Sequence, residues 1–292
     1  MKLKVNSKIN NPRKAKRLGY RVDALLKESR FIVKIHSVFD HAINFLAIDD
    51  WIITLLPENY PVGPQTIILY DGDFYFFKTI TFPSNGFKFK DFINVEDSNI
   101  IPRKIVCDKD KMNVENIRTN TEYFSQLLYE KGNKNGLIGK DNEYYKYALP
   151  FLENFRVLFK QKEFQGAFCQ LQDLIGLGAG LTPSGDDFIL GVMAAFYFLG
   201  LYEGDIQKTM TLTVKKARKK TNLISYNMLR QGAAGGFIEW IEDMTFALIY
   251  EDIKQVNKAF LNMIKIGGSS GSDISAGILF GISIILEANL IL

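Results

Sequence analysis

Histidine, cysteine and tryptophan are nearly missing from this chain: two of each among 292 residues. His36 and His41 alone exclude a multi-histidine metal centre and leave little for a Ser-His-Asp relay. Cys107 and Cys169 stand apart without C-x-x-C spacing, so neither a disulfide framework nor a cysteine zinc site is expected. The first twenty residues contain no apolar h-region, and a signal peptide is not expected. The apolar run 188–202 is too short for a bilayer span, and 278–292 is interrupted by Glu287. A phosphate loop of the G-x-x-x-x-G-K-[ST] type is absent. Gly176-Leu177-Gly178-Ala179-Gly180 lacks the last glycine of a dinucleotide fingerprint, which would fall on Leu181, and it follows a helix-like segment where a strand is required. Net charge is only +4. The basic N-terminus (Lys2, Lys4, Lys8, Arg13, Lys14, Lys16, Arg17, Arg21) has no interleaved aromatic before Tyr20 and reads as a solvated leader. These absences point to a cytoplasmic protein with neither a nucleic-acid nor a membrane partner.

What is present is a well-ordered composition, 47% hydrophobic and 13% aromatic, in a chain long enough for one or two domains. From about 31 to 107 the chain consists of short β-branched and aromatic runs (FIVKIHSVF, WIITLL, TIILY, FYFFKTITF, KFKDFINV) separated by turn signals. Asp71-Gly72 between two such runs predicts a hairpin. Helical periodicity follows at 113–130, 144–160, 164–174, 184–199, 204–219, 224–231, 237–250, 252–264 and 273–290, while 131–135 is a loop. The expected fold is α+β: a small antiparallel β domain, barrel-like or sandwich, over residues 1–110, then a larger mostly α-helical domain over 111–292.

One signature occurs twice. G-L-T-P-S-G-D-D-F-I-L-G begins at Gly180 and G-G-S-S-G-S-D-I-S-A-G at Gly267. Aligning Ser184-Gly185 with Ser270-Gly271 also aligns Asp187 with Asp273 and Gly191 with Gly277 at one constant offset. Each copy runs from a polar glycine-rich loop into a segment apolar on all sides, which predicts two pseudo-repeated buried central helices whose N-termini face one cleft. Thr182 is expected to cap the first helix, with Pro183 at its first position. Helix N-termini expose N–H groups and favour anions. The candidate ligand is therefore a small carboxylate or phosphate, bound by N–H groups around 178–185 and 267–272 with Gly180, Thr182, Ser184, Gly185, Asp186, Ser269, Ser270 and Gly271. Asp187 and Asp273 are the candidate catalytic pair, orienting a substrate amide or sharing a metal ion. Thr221 and Ser225, one helical turn apart, are further candidates. No organic cofactor is expected; Mg2+ or another cation is the one candidate. The alternative is tightly packed helix starts, with glycines for close turns, hydroxyls as caps and aspartates for the dipole.

The segments G-L-G-A-G-L-T-P-S-G-D-D-F-I-L-G, T-x-x-x-S at 221–225 and S-S-G-S-D-x-x-x-G at 269–277 resemble a bacterial family that includes the oxamate carbamoyltransferase subunit AllH. The resemblance covers about the C-terminal half. It implies a carbamoyltransferase-type subunit with partner subunits, one similar to acyl-CoA synthetases, in allantoin breakdown. The implied reaction is carbamoyl transfer between oxamate or oxalurate and phosphate. Thr182, Ser184, Gly185, Asp186, Asp187, Ser270, Gly271 and Asp273 match the family pattern. Members of that family often carry His where this chain has Gly268. A non-catalytic subunit that binds a small metabolite is the alternative this departure leaves open.

Overall fold

The computed structural model describes residues 3–4, 8–26, 32–96, 98–102 and 108–290; Lys2 of the basic leader and Cys107 lie outside them. The chain divides into two compact units, Met1–Lys104 and Ile105–Leu292.

In the first unit β1 (Leu3–Lys4) and β2 (Arg13–Gly19) precede helix α1 (Tyr20–Leu26), and β3 (Ile32–Val38), β4 (Ile43–Leu46), β5 (Ile52–Leu56) and β6 (Thr66–Leu69) follow. Helix α2 (Asp71–Thr79) leads to β7 (Ile80–Thr81), β8 (Phe87–Lys88), β9 (Ile93–Asn94) and β10 (Asn99–Ile101). The main sheet runs β10-β2-β6-β5-β4-β3-β8, with β9 also on β2; β1 pairs with β7. This is the β-rich half of the expected α+β fold. Its sheet is mixed, because β5 and β6 are parallel, as are β2 and β10. Pro57, Pro61 and Pro64 lie in the connection from β5 to β6. Their fixed φ and missing N–H groups favour a crossing loop over a tight hairpin.

Two expectations about this unit are corrected. The basic leader is a strand from Arg13 onward: Ala15 and Leu18 are buried in the sheet. Lys16 pairs with Glu58 at 2.6 Å and Arg13 with Asp73 at 3.3 Å. Long cationic side chains can flank a sheet this way because their stems are apolar and their heads reach a partner or water. The Asp71-Gly72 hairpin is instead the start of α2. Asp71 and Asp73 favour the positive helix terminus. Phe74 and Phe77, one turn apart, are both buried in an aromatic core with Phe45, Phe87, Phe89 and Phe92. Tertiary burial at helical spacing outweighs the β propensity of FYFF.

In the second unit the expected helices all form, with ends shifted by at most a few residues: α3 (Val114–Lys131), α4 (Glu143–Lys160), α5 (Phe164–Gln170), α6 (Ser184–Phe198), α7 (Gly204–Lys220), α8 (Leu223–Ala233), α9 (Glu239–Tyr250), α10 (Ile253–Met263) and α11 (Ser270–Glu287). Asn113, Asn142, Asn222 and Asp252 cap α3, α4, α8 and α10 through their side chains. Helices α6 and α11 form the centre of the unit and are buried along nearly their whole length. Moving along α6, Thr182, Phe188 and Ala195 meet Ser270, Gly277 and Gly281 in turn, so the two helices are parallel. The contact is reciprocal: Gly191 lies against the Ile274 carbonyl and Gly277 against the Phe188 carbonyl. The sequence repeat is thus a structural pseudo-twofold. Helix α11 is long and apolar enough to cross a membrane, yet 78% of it is buried within the unit.

Candidate functional site

Because α6 and α11 are parallel and in register, their first turns lie side by side. The Thr182 and Ser270 hydroxyls are 2.7 Å apart and join the two copies at the surface end. Thr182 therefore does not cap α6 as expected; Pro183 holds the cap position and its carbonyl accepts from the Asp186 and Asp187 N–H groups. Above this hydroxyl bridge Gly180, Leu181, Gly267 and Gly268 are exposed, and Ser269 is half-buried. Below it Ser184, Asp187 and Asp273 are buried, the two carboxylates to 1% and 0% exposure.

The two copies support each other crosswise. Burial holds the Asp187 carboxyl well above its ordinary pKa, the neighbouring Asp273 charge adds to this, and the hydroxyls of Ser270 and Thr182 oppose it. Burial also raises Asp273, against the Leu137 N–H and the hydroxyls of Ser184 and Ser269. Each aspartate thus sits beside the serine that opens the other copy's helix. One oxygen of each, Oδ2, is buried without a hydrogen-bond partner.

The backbone groups are less available than the pattern suggests. Gly185 N–H donates to Leu177 O and Gly271 N–H to Ile266 O, at 2.8 and 3.0 Å. Ser272 and Asp273 N–H both donate to Ser269 O. Six N–H groups of the two first turns are therefore already paired within the chain. Gly185 and Gly271 are there for close approach, since a Cβ on either would strike the carbonyl of Leu174 or Met263.

Asp186, Thr221 and Ser225 form a separate cluster. Asp186 Oδ1 accepts from Gly176 N–H at 2.9 Å, and its Oδ2 accepts from the Ser225 hydroxyl at 2.6 Å and from Thr221. These bonds offset the rise in pKa that burial imposes on Asp186. The three residues tie the first loop to the start of α8. Asn222 completes the clamp by donating to Leu181 O at 2.8 Å.

The second loop has its own clamp, in a segment whose sequence pattern shows only a plain loop. Asn133 N–H donates to Ser272 Oγ at 2.9 Å, and its side-chain amide donates to Gly268 O at 3.0 Å. Leu137 N–H donates to Asp273 Oδ1 at 2.6 Å. The only hint is the glycine spacing of Gly132, Gly136 and Gly139. A Cβ at Gly136 would collide with both Asp273 carboxylate oxygens. Gly136→Ala should therefore break the Leu137 bond and cost about 2–3 kcal/mol. Thermal melts and faster hydrogen exchange at the Leu137 amide would show it; an unchanged melt would contradict this geometry.

A cleft of about 230 Å³ lined by Asp243, Phe246, Glu251 and Lys258 shares no residue with this site. Among the described residues no cluster of three or more His, Cys, Asp or Glu side chains is arranged for a metal.

The family description "Oxamate carbamoyltransferase subunit AllH" matches residues 174–282, from the loop before α6 through most of α11. The AllH family N-terminal domain matches residues 14–102, which hold β2 through β10. The chain belongs to the AllH family. Its family name is that of one subunit of oxamate carbamoyltransferase, which gives this AllH-family chain a subunit role alongside other chains. No solved structure matches it. The C-terminal AllH match contains the aspartate pair, its serines and the Asp186 clamp, whereas the Asn133–Leu137 clamp precedes it.

Proposed function

We propose that this chain acts in the cytoplasm within an oxamate carbamoyltransferase-like complex, together with an acyl-CoA synthetase-like subunit, and binds a small carboxylate or phosphate above Asp187 and Asp273. The observation that carries this reading is the convergence of hydroxyls from both copies, Thr182, Ser269 and Ser270, at an exposed glycine-rich rim over a buried carboxylate pair. Hydroxyls donate to anionic oxygens, and fixed carboxylates orient amide N–H groups. In the reaction a phosphate oxygen attacks the carbamoyl carbon of oxalurate. The bond from that carbon to the oxamate nitrogen breaks, and the phosphate proton passes to the nitrogen. Oxamate and carbamoyl phosphate result, and the reverse direction is equally available.

The test is carbamoyl phosphate formation from oxalurate and phosphate, with the chain alone and with its synthetase-like partner. Turnover is expected with the partner and lost in the double variant Asp187→Asn, Asp273→Asn. Full turnover in that variant would overturn the catalytic assignment. Gly268 favours a second reading, in which the chain binds the metabolite and another subunit does the chemistry. Space around Gly268 is open on the side where a Cβ would point, so a larger residue fits. Gly268→His should change stability by no more than about 0.5 kcal/mol. A rise in turnover in this variant would show that the missing imidazole limits the reaction.

A further inference from the structure

An anion held above two buried carboxylates gains from positive charge nearby, and among the described residues none supplies it to Asp187 or Asp273. The influences on Asp187 and Asp273 are burial, hydroxyls, one backbone N–H and other aspartates; no lysine, arginine or histidine is among them. Six of the helix-end N–H groups, those of Gly185, Asp186, Asp187, Gly271, Ser272 and Asp273, are already paired within the chain. Each carboxylate nevertheless keeps one buried oxygen with no partner. A buried polar atom without a partner is rare in folded proteins because it forfeits hydration for nothing in return. Here two such atoms occur at equivalent positions of the two copies, in carboxylates close enough to repel each other.

From this geometry we infer that Asp187 and Asp273 together hold one divalent hard cation of the Mg2+ class, which bridges the protein to the anion bound at the rim. The donor set is all oxygen: two carboxylates, with the hydroxyls of Thr182, Ser184, Ser269 and Ser270 around them. Such donors suit Mg2+ or Mn2+ better than Zn2+ or Cu2+, which prefer nitrogen and sulfur. Mg2+ commonly takes one or two carboxylates and completes its shell with water and substrate phosphate. The pseudo-twofold explains the pairing, since each copy contributes one carboxylate. The inference rests on the proposed anion site for the bridging role alone; the cation site stands on the carboxylate pair.

The experiment is Mn2+ titration of the full chain after removal of metals by EDTA, with free Mn2+ read by electron paramagnetic resonance. One Mn2+ per chain is expected, displaced by Mg2+, with binding at least tenfold weaker in Asp187→Asn and in Asp273→Asn and unchanged in Asp243→Asn. Paramagnetic broadening of the Leu137 and Ser270 amide signals should locate the ion in the wild-type chain, so the result does not depend on the variants folding. Absence of Mn2+ binding at millimolar concentration, or binding without broadening of those amides, would overturn the inference. Adding inorganic phosphate separates the two proposals. Phosphate binding that survives EDTA unchanged rules out the cation bridge and keeps the anion site. Mn2+ binding that phosphate does not tighten keeps the cation and removes the anion site.

Discussion

Gly277→Ala is expected to lower the melting temperature of the helical unit by about 6–12 °C, from a cost of about 3 kcal/mol. An added Cβ would lie far inside contact distance of the Phe188 carbonyl oxygen and 3.0 Å from Val192 N. Backbone atoms cannot swing aside as a side chain can, so α6 and α11 would have to separate along their buried length. Gly191→Ala should behave alike, because its Cβ would strike the Ile274 carbonyl. The double variant should cost less than the sum, since one separation relieves both clashes. The sign makes this test decisive. Intrinsic helix propensity favours alanine over glycine by about 1 kcal/mol, so a rise in melting temperature would mean that the helices do not pack this closely.

Asp187→Asn should divide activity from stability. Carbamoyl phosphate formation in the complex should fall about 100-fold or more, the range for loss of a positioned acid–base or electrostatic group. Stability in metal-free buffer should move the other way at neutral to alkaline pH. The folded carboxyl has a raised pKa, while the unfolded one titrates near the ordinary value of about 3.9. Between these two values the native state binds the proton that the unfolded state has released. The stability contribution is thus full below about pH 4 and declines as pH rises toward the folded pKa, by about 1.4 kcal/mol for each pH step of one. Asparagine resembles the neutral carboxyl and carries no such cost. Urea denaturation from pH 4 to 9 should show a falling stability for the wild type and a flatter profile for the variant. Parallel profiles would contradict the burial of an ionisable Asp187. An active site that lowers stability to gain function has this signature.

Local pattern carried the helical unit because its signals were local. Apolar periodicity and the glycine-rich loops each act within a few residues, and the helices appeared with ends close to those expected. The strand-rich unit was harder to read for the opposite reason. Whether Phe74 and Phe77 lie on a helix or a strand depends on the core they meet, and Arg13–Gly19 becomes a strand because β6 and β10 lie beside it. At the site, the repeat identified Asp187, Asp273, Ser184 and Ser270 as a set. It did not reveal that the serines and aspartates support each other across the copies, that Asp186 belongs to a clamp with Thr221 and Ser225, or that Asn133 and Leu137 enclose Asp273.

The α+β class, the order of helices and the twofold repeat follow from the residues alone, since each is written in composition, periodicity and one repeated pattern. Three-dimensional packing was needed to make the two helix starts parallel, to pair six of their N–H groups with backbone carbonyls, and to bury one oxygen of each carboxylate without a hydrogen-bond partner. Those outcomes depend on contacts between residues far apart in the chain, such as Thr182 with Ser270 and Leu137 with Asp273. No local pattern encodes the distance between them.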